Sequence, residues 1–187
     1  MRRTLASLAV IVTLLTAGCS IGAPPDNVAA TVNGKDVPIS LYESLTKLTI
    51  SDMRRAGVAV NPATDTGRGQ LQRVHTSALK NAIRDTLIDQ LGRSRKLTVS
   101  AAELDAGIAK IQAAVGGPDQ FKLRLEAQGI TEAEFRTIYH FNLLDQKLRA
   151  ADPNGYDKAL AKSVEDAKVT AYVGPCSSDH EYPKCAG

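Results

Sequence analysis

Few side chains in this sequence are suited to chemistry. Three histidines (His75, His140 and His180), three cysteines (Cys19, Cys176 and Cys185) and scattered carboxylates are the candidates among 187 residues. General acid–base work needs such a group held against a partner in a shared pocket. The histidines fall in three different segments, and His75 and His140 sit inside amphipathic helical patterns, where packing or surface roles are expected. Asp85 and Asp89, four apart on a helical stretch, are expected to form a solvated face. No phosphate-cradling glycine loop, dinucleotide fingerprint or nucleophile elbow is present. The expectation is a protein with no catalytic residues, no cofactor and no enzymatic activity.

The cysteines point to export. Arg2 and Arg3 precede an apolar run from Leu5 to Leu15, and Thr16, Ala17 and Gly18 then lead to Cys19, the layout of a secretory signal. The run falls short of the roughly 20 apolar residues that a membrane-spanning helix needs. The string LLTAGCS resembles a bacterial lipobox, with Thr16 standing three before the cysteine where leucine is commoner. That resemblance implies cleavage after residue 18 and lipidation of Cys19, and several acyl chains together anchor a protein stably. Cys176 and Cys185 remain as an even pair, for which a disulfide is the simplest reading in an oxidising compartment. Closing so short a loop is worth roughly 2 to 3 kcal/mol on a chain-entropy argument and would pin the C-terminal tail. A zinc site from Cys176, His180 and Cys185 with Asp179 or Glu181 competes with it, but the paired short cysteine spacings of structural zinc sites are missing.

Composition narrows the class of protein. Lys plus Arg number 23 against 20 Asp plus Glu, a formal charge of +3, and loss of Arg2 and Arg3 with the signal lowers it to +1. So small a charge argues against nucleic acid as a partner. Hydrophobic residues make up 43% but aromatics only 4%, with no tryptophan, so the core is built from Leu, Ile, Val and Ala, which favours helix on helix.

The elements that must carry any function follow from periodicity. Val28 to Val32 is strand-like and ends at Asn33-Gly34, a hairpin signal, with Lys35 to Val37 as the return arm. A capping box, Ser40 with Glu43, is expected to start a helix running from about Leu41 to Arg55. Gly57, Asn61, Pro62, Gly67 and Gly69 mark a loop, and Leu71, Val74, Ala78, Ile83, Leu87 and Leu91 then stripe the longest helix. Ser100 with Glu103 caps a helix that Gly116 and Gly117 stop. A short helix follows from Pro118 to Gly129, and Thr131 with Glu134 caps another that runs through Phe135, Ile138, Phe141, Leu144 and Leu148. Tyr156, Leu160 and Val164 stripe the last helix, and Val169 to Val173 alternates as a closing strand.

Three segments taken together, VAATVNGKDVPISLYES, ALKNAIRDTLIDQLGRSRKLTVSAAELDAGIAKI and DQFKLRLEAQGITEAEFRTIYHFNLLDQKL, resemble the N-terminal domain of the SurA family of extracytoplasmic chaperones, which has a lipoprotein relative in PrsA. The resemblance covers Val28 to about Leu148. It implies a mainly α fold in which Ala167 to Val173 pairs with Val28 to Val32 as a small antiparallel β element. The organisation expected is a signal peptide over 1–18, a linker over 19–27, a chaperone domain over 28–173 and a disulfide-pinned tail over 174–187. Relatives carry an inserted parvulin prolyl isomerase of domain size, yet only Arg149 to Gly155 separates the last two helices here, so that activity is not expected.

The resemblance implies an ATP-independent holdase for unfolded or newly exported polypeptides, held at the outer face of a bacterial cell membrane by its lipid anchor. Holding such chains requires apolar side chains that are not spent on the core. Phe121, Leu125, Phe135, Tyr139 and Phe141 are the candidates, because the short helix and its neighbour carry more apolar residues than one stripe can bury, with membership of the core as the competing reading. Two other functions stay open: a cell-envelope module that docks one folded partner, and a diverged isomerase.

Overall fold

The structure, a computed structural model, describes residues 26–173. The signal segment, Cys19, Cys176, Cys185 and the alternative zinc ligands Asp179, His180 and Glu181 therefore lie outside the described residues.

The chain opens with a hairpin of β1 (Val28–Val32) and β2 (Lys35–Pro38), joined at Asn33 and Gly34. Both turn residues have positive φ, 53° and 76°, the type I′ geometry that matches the right-handed twist of the strands. Helix α1 (Ile39–Arg55) follows without a connection. The expected Ser40–Glu43 capping box does not form, because the helix begins ahead of it, with Pro38 as its N-cap residue and no side-chain cap. The Ile39 N–H instead donates to the Asn27 carbonyl at 2.9 Å, so the hairpin's own backbone satisfies the helix start.

Helix α2 (Asp65–Ser94) begins six residues earlier than the sequence pattern implies and takes Gly67 and Gly69 into its first turns. Thr64 caps it by accepting from the Gly67 N–H at 3.1 Å. A Cβ at Gly67 would lie 1.8 Å from the Asn61 carbonyl oxygen, so this glycine permits the α1–α2 loop to lie on the helix and does not break it. Helix α3 (Ala101–Ala114) carries the complete Ser100–Glu103 capping box, and α4 (Pro118–Gln128) starts on its proline and ends at left-handed Gly129. Helix α5 (Glu132–Ala151) carries the Thr131–Glu134 box. After α6 (Tyr156–Glu165), β3 (Val169–Ala171) returns to pair antiparallel with β1, which places the sheet in the order β2-β1-β3. The fold is mainly α with a small antiparallel sheet that ties the two ends of the described chain together.

Two apolar clusters hold this arrangement. The larger joins the sheet, α1, α2, the second half of α5 and α6 around Val32, Val37, Ile83, Leu87, Ile88, Leu144, Leu148 and Tyr156. Ala78 and Ala82, both fully buried, keep α2 thin enough for its neighbours to approach closely. The smaller cluster lies under α3 and α4: Ile108, Phe121, Leu125 and Ile130 are buried, with Leu48 of α1, Leu104, Ile111, Val115, Phe135 and Tyr139 around them.

Candidate functional site

Phe121 and Leu125 lie one turn apart on α4, and Phe135 and Tyr139 one turn apart on α5, so each pair shares a helix face. The two faces meet. The Phe121 and Phe135 rings pack edge to face at 5.1 Å, and Phe135 stacks on Tyr139 at 5.7 Å with the planes 13° apart. Helix α3 closes the third side, so near that a Cβ at Gly107 would come within 2.6 Å of the Tyr139 ring. Lys147 of α5 fastens α3 by reaching both Glu103 and the Thr98 carbonyl at 2.6 Å, and Arg136 pairs with Asp105.

The five apolar candidates therefore do not form one open surface. Phe121 and Leu125 are 3% and 4% exposed, Phe135 and Tyr139 are half-buried, and Phe141 belongs to the other cluster, with the His140 ring edge-on to it at 5.5 Å. The apolar surplus of α4 and α5 is taken up by Leu104, Ile108 and Ile111 of α3 and by Val115 at its end, a third stripe that counting two helices leaves out. The residue that does face outward is Leu123, at 55% exposure the exposed large apolar side chain among the described residues. It sits two positions from both Phe121 and Leu125, so their inward stripe turns it to the opposite face of α4, and that spacing was the available signal.

Beside the α3–α4 layer, a cleft of about 190 Å³ opens between the first turns of α1 and α5, lined by Ser40, Leu41, Ser44, Ala133, Glu134 and Thr137. Glu134 forms its floor and links the two helices. It accepts from the Thr131 N–H at 2.6 Å, from Ser44 Oγ at 2.9 Å and from Lys47 Nζ at 3.0 Å. Burial alone would push its carboxyl up, but these donors outweigh it and bring it down to about 2. A carboxylate that is ionised at neutral pH and engaged by these donors acts as a clamp between the helices.

A second polar centre lies where α2, α5 and α6 meet. Asp145 accepts from Arg84 at 3.0 Å, from Arg149 at 3.0 Å and from the Tyr156 hydroxyl, while Arg149 also reaches Asp157 at 2.7 Å and lies over the Tyr156 ring. Burial raises the Asp145 carboxyl, and its three donors more than offset this, leaving it below its ordinary range. Tyr156 is raised by burial and by its hydrogen bond to Asp145. Asp85, expected in a solvated face, is instead largely withdrawn from water between these groups. Burial, with Asp145 nearby and Arg84 opposing, pushes its carboxyl up to about 7. Asp89, its side chain 21% exposed, pairs with Arg93 at 2.9 Å.

The two histidines among the described residues do not converge. His75 Nδ1 lies 2.6 Å from the Tyr42 hydroxyl and ties α2 to α1, whereas His140 packs on Phe141. Both are bound into helix packing.

Comparison with known proteins agrees with this architecture. A search of curated proteins finds no match. The model of the SurA-like N-terminal domain matches residues 3–149, from before β1 into the last turn of α5, leaving α6 and β3 beyond it. On that match, which covers most of the chain, the protein belongs to the SurA-like N-terminal domain family, a chaperone family.

Proposed function

We propose that this protein is an ATP-independent holdase of the cell envelope that binds unfolded or newly exported polypeptides, without catalysing prolyl isomerisation, from a lipid anchor at Cys19. The observation that carries the reading is the family match across residues 3–149 on a scaffold whose α5 passes to α6 through only Asp152–Gly155. A holdase releases its clients without nucleotide chemistry, so each contact must be weak and the whole reversible; micromolar affinity corresponds to about 8 kcal/mol in total. Anchoring supports this by concentrating the domain where exported chains emerge. The reading is tested by fluorescence anisotropy of labelled lactalbumin in two forms, native and permanently unfolded by reduction and carboxymethylation. Saturable micromolar binding of the unfolded form alone supports it, and equal or absent binding of the two forms contradicts it.

One observation favours a second reading. Leu123 projects as a single large apolar side chain from a face of α4 otherwise made of Asp119, Gln120, Glu126 and the small Ala127. An isolated anchor within a polar rim suits one folded envelope partner better than many unfolded ones. Capture of a single stoichiometric partner, lost on Leu123→Ser, would establish it.

A further inference from the structure

Asn33 does more than make the hairpin turn. Its side-chain amide is held at both ends: Nδ2 donates to Gln90 Oε1 of α2 at 2.9 Å, and Oδ1 accepts from the Lys168 N–H at 2.9 Å, just ahead of β3. Gln90 Nε2 in turn donates to the Val32 carbonyl at 2.9 Å, and the Asn33 N–H donates to the Lys168 carbonyl at 2.8 Å. One exposed side chain thus latches the hairpin to α2 and to the strand that returns from the other end of the described chain.

The residue after it makes this latch chemically labile. The side-chain carbonyl carbon of an asparagine is open to attack by the backbone nitrogen of the next residue, and a following glycine, with no Cβ, leaves that nitrogen most accessible. Among the asparagines, Asn33 and Asn154 alone precede glycine. At the first pair both residues are exposed, nothing lies within 4 Å of where a Gly34 Cβ would stand, and the Gly34 N–H donates to no group among the described residues. At the second pair the Gly155 N–H donates to Asp152 Oδ1 at 2.8 Å, and a carboxylate there opposes loss of the proton that the attack requires. The nucleophile is therefore free at Gly34 and blocked at Gly155.

We propose that Asn33 is a self-modification site, converted spontaneously to aspartate and isoaspartate when its latch to Gln90 and Lys168 opens. The Gly34 nitrogen gives up its proton and bonds to Asn33 Cγ, the Cγ–Nδ2 bond breaks, and Nδ2 takes up the proton and leaves as ammonia. Water then adds to either carbonyl carbon of the five-membered ring and breaks that carbon's bond to the ring nitrogen. Opening at Cγ gives aspartate, and opening at the main-chain carbonyl gives isoaspartate. Ring closure makes the planar Cγ tetrahedral and expels Nδ2, so both side-chain hydrogen bonds must be surrendered first, and the closed latch holds the reaction back. The change is one-way. Aspartate has no donor for Gln90 Oε1, and isoaspartate lengthens the two-residue turn by a methylene that the Val32–Lys35 pairing cannot absorb. Position 33 thereby records the time β3 has spent undocked, and each conversion weakens its return.

The test is peptide mapping by mass spectrometry of the purified protein held in mildly alkaline buffer, folded and in urea, with positions 33 and 154 followed separately. Position 33 of the folded wild type is expected to convert at least tenfold more slowly than in urea. Gln90→Ala, which removes the acceptor for Nδ2, is expected to raise the folded rate at Asn33 at least threefold, with the thermal transition retained and the rate at Asn154 unchanged. Gln90→Glu keeps an acceptor for Nδ2 while losing the donor to Val32, and is expected to stay at the wild-type rate. Equal rates in the folded and urea-unfolded wild type, or no acceleration in Gln90→Ala, overturn the proposal. Equal acceleration in both Gln90 variants overturns it in favour of a general loosening of the hairpin. Asn33→Asp reproduces one product, and exchange of the Tyr172 amide, which donates to the Ala29 carbonyl, is expected to quicken at least threefold in it. Unchanged exchange there overturns the claim that conversion loosens β3.

Discussion

Asp85→Asn is expected to stabilise the protein, and to do so only above mildly acidic pH. In the folded protein burial pushes the Asp85 carboxyl from 3.8 up to about 7. A group whose folded value is raised contributes stability that is fully present below about 3.8 and is lost as pH rises through about 7. The difference between these values corresponds to roughly 4 kcal/mol at 1.36 kcal/mol for each tenfold change in proton affinity. Relaxation of the surroundings and water penetration in a site that is not fully buried reduce this to about 2 kcal/mol. Asparagine fills the same space and cannot ionise. At pH 8.5 the variant should therefore unfold about 2 kcal/mol harder than the wild type, a rise of roughly 4 to 8 °C in Tm for a chain of this length. At pH 4 the advantage should fall below about 1 kcal/mol. Urea denaturation of both proteins at the two pH values measures it, and the difference between them cancels every other titrating group. A variant no more stable than wild type at pH 8.5, or an advantage that does not change with pH, would refute the argument.

Three further outcomes are expected. Glu134→Gln loses the Lys47 ion pair and weakens the clamp between α1 and α5, costing about 1 to 2 kcal/mol. Because the Glu134 carboxyl is lowered to about 2, the wild-type advantage is present at neutral pH and is lost as pH falls through that value, which denaturation at pH 7 and pH 2.5 would show. Gly67→Ala, which in an ordinary helix gains up to about 1 kcal/mol, should here cost about 2 kcal/mol or more by thermal melting, because its Cβ meets the Asn61 backbone. Phe121→Ala should cost about 3 to 5 kcal/mol, with the loss of amide protection largest in α3 and α4, because the smaller cluster is the one it empties.

Where a signal is local, the sequence carries it to the residue. The Asn33-Gly34 turn, the boxes at Ser100 and Thr131, the Gly116-Gly117 stop and the Pro118 start each depend on a few adjacent residues, and each is realised. Where the deciding partner is distant, the local pattern misleads. Ser40 and Glu43 have the spacing of a capping box, but the hairpin brings Asn27 to the helix start first. Gly67 has the form of a breaker and is a contact point, because the loop from Asn61 lies on it. Asp85 has the spacing of a surface carboxylate on its own helix, and its burial beside Asp145 of α5 is set by a helix distant in sequence. The apolar candidates follow the same division: the Phe121–Leu125 and Phe135–Tyr139 pairings follow from helical spacing, whereas their closure by α3 depends on how three helices meet.

As a holdase, this member of the SurA-like N-terminal domain family is proposed to keep non-native chains from aggregating unaided. Light scattering of a chemically denatured, aggregating client, diluted into increasing amounts of the mature protein without ATP, tests it most directly. Suppression of aggregation near one-to-one stoichiometry is the predicted result. Undiminished aggregation at large molar excess would contradict the account and leave the single-partner envelope module in its place.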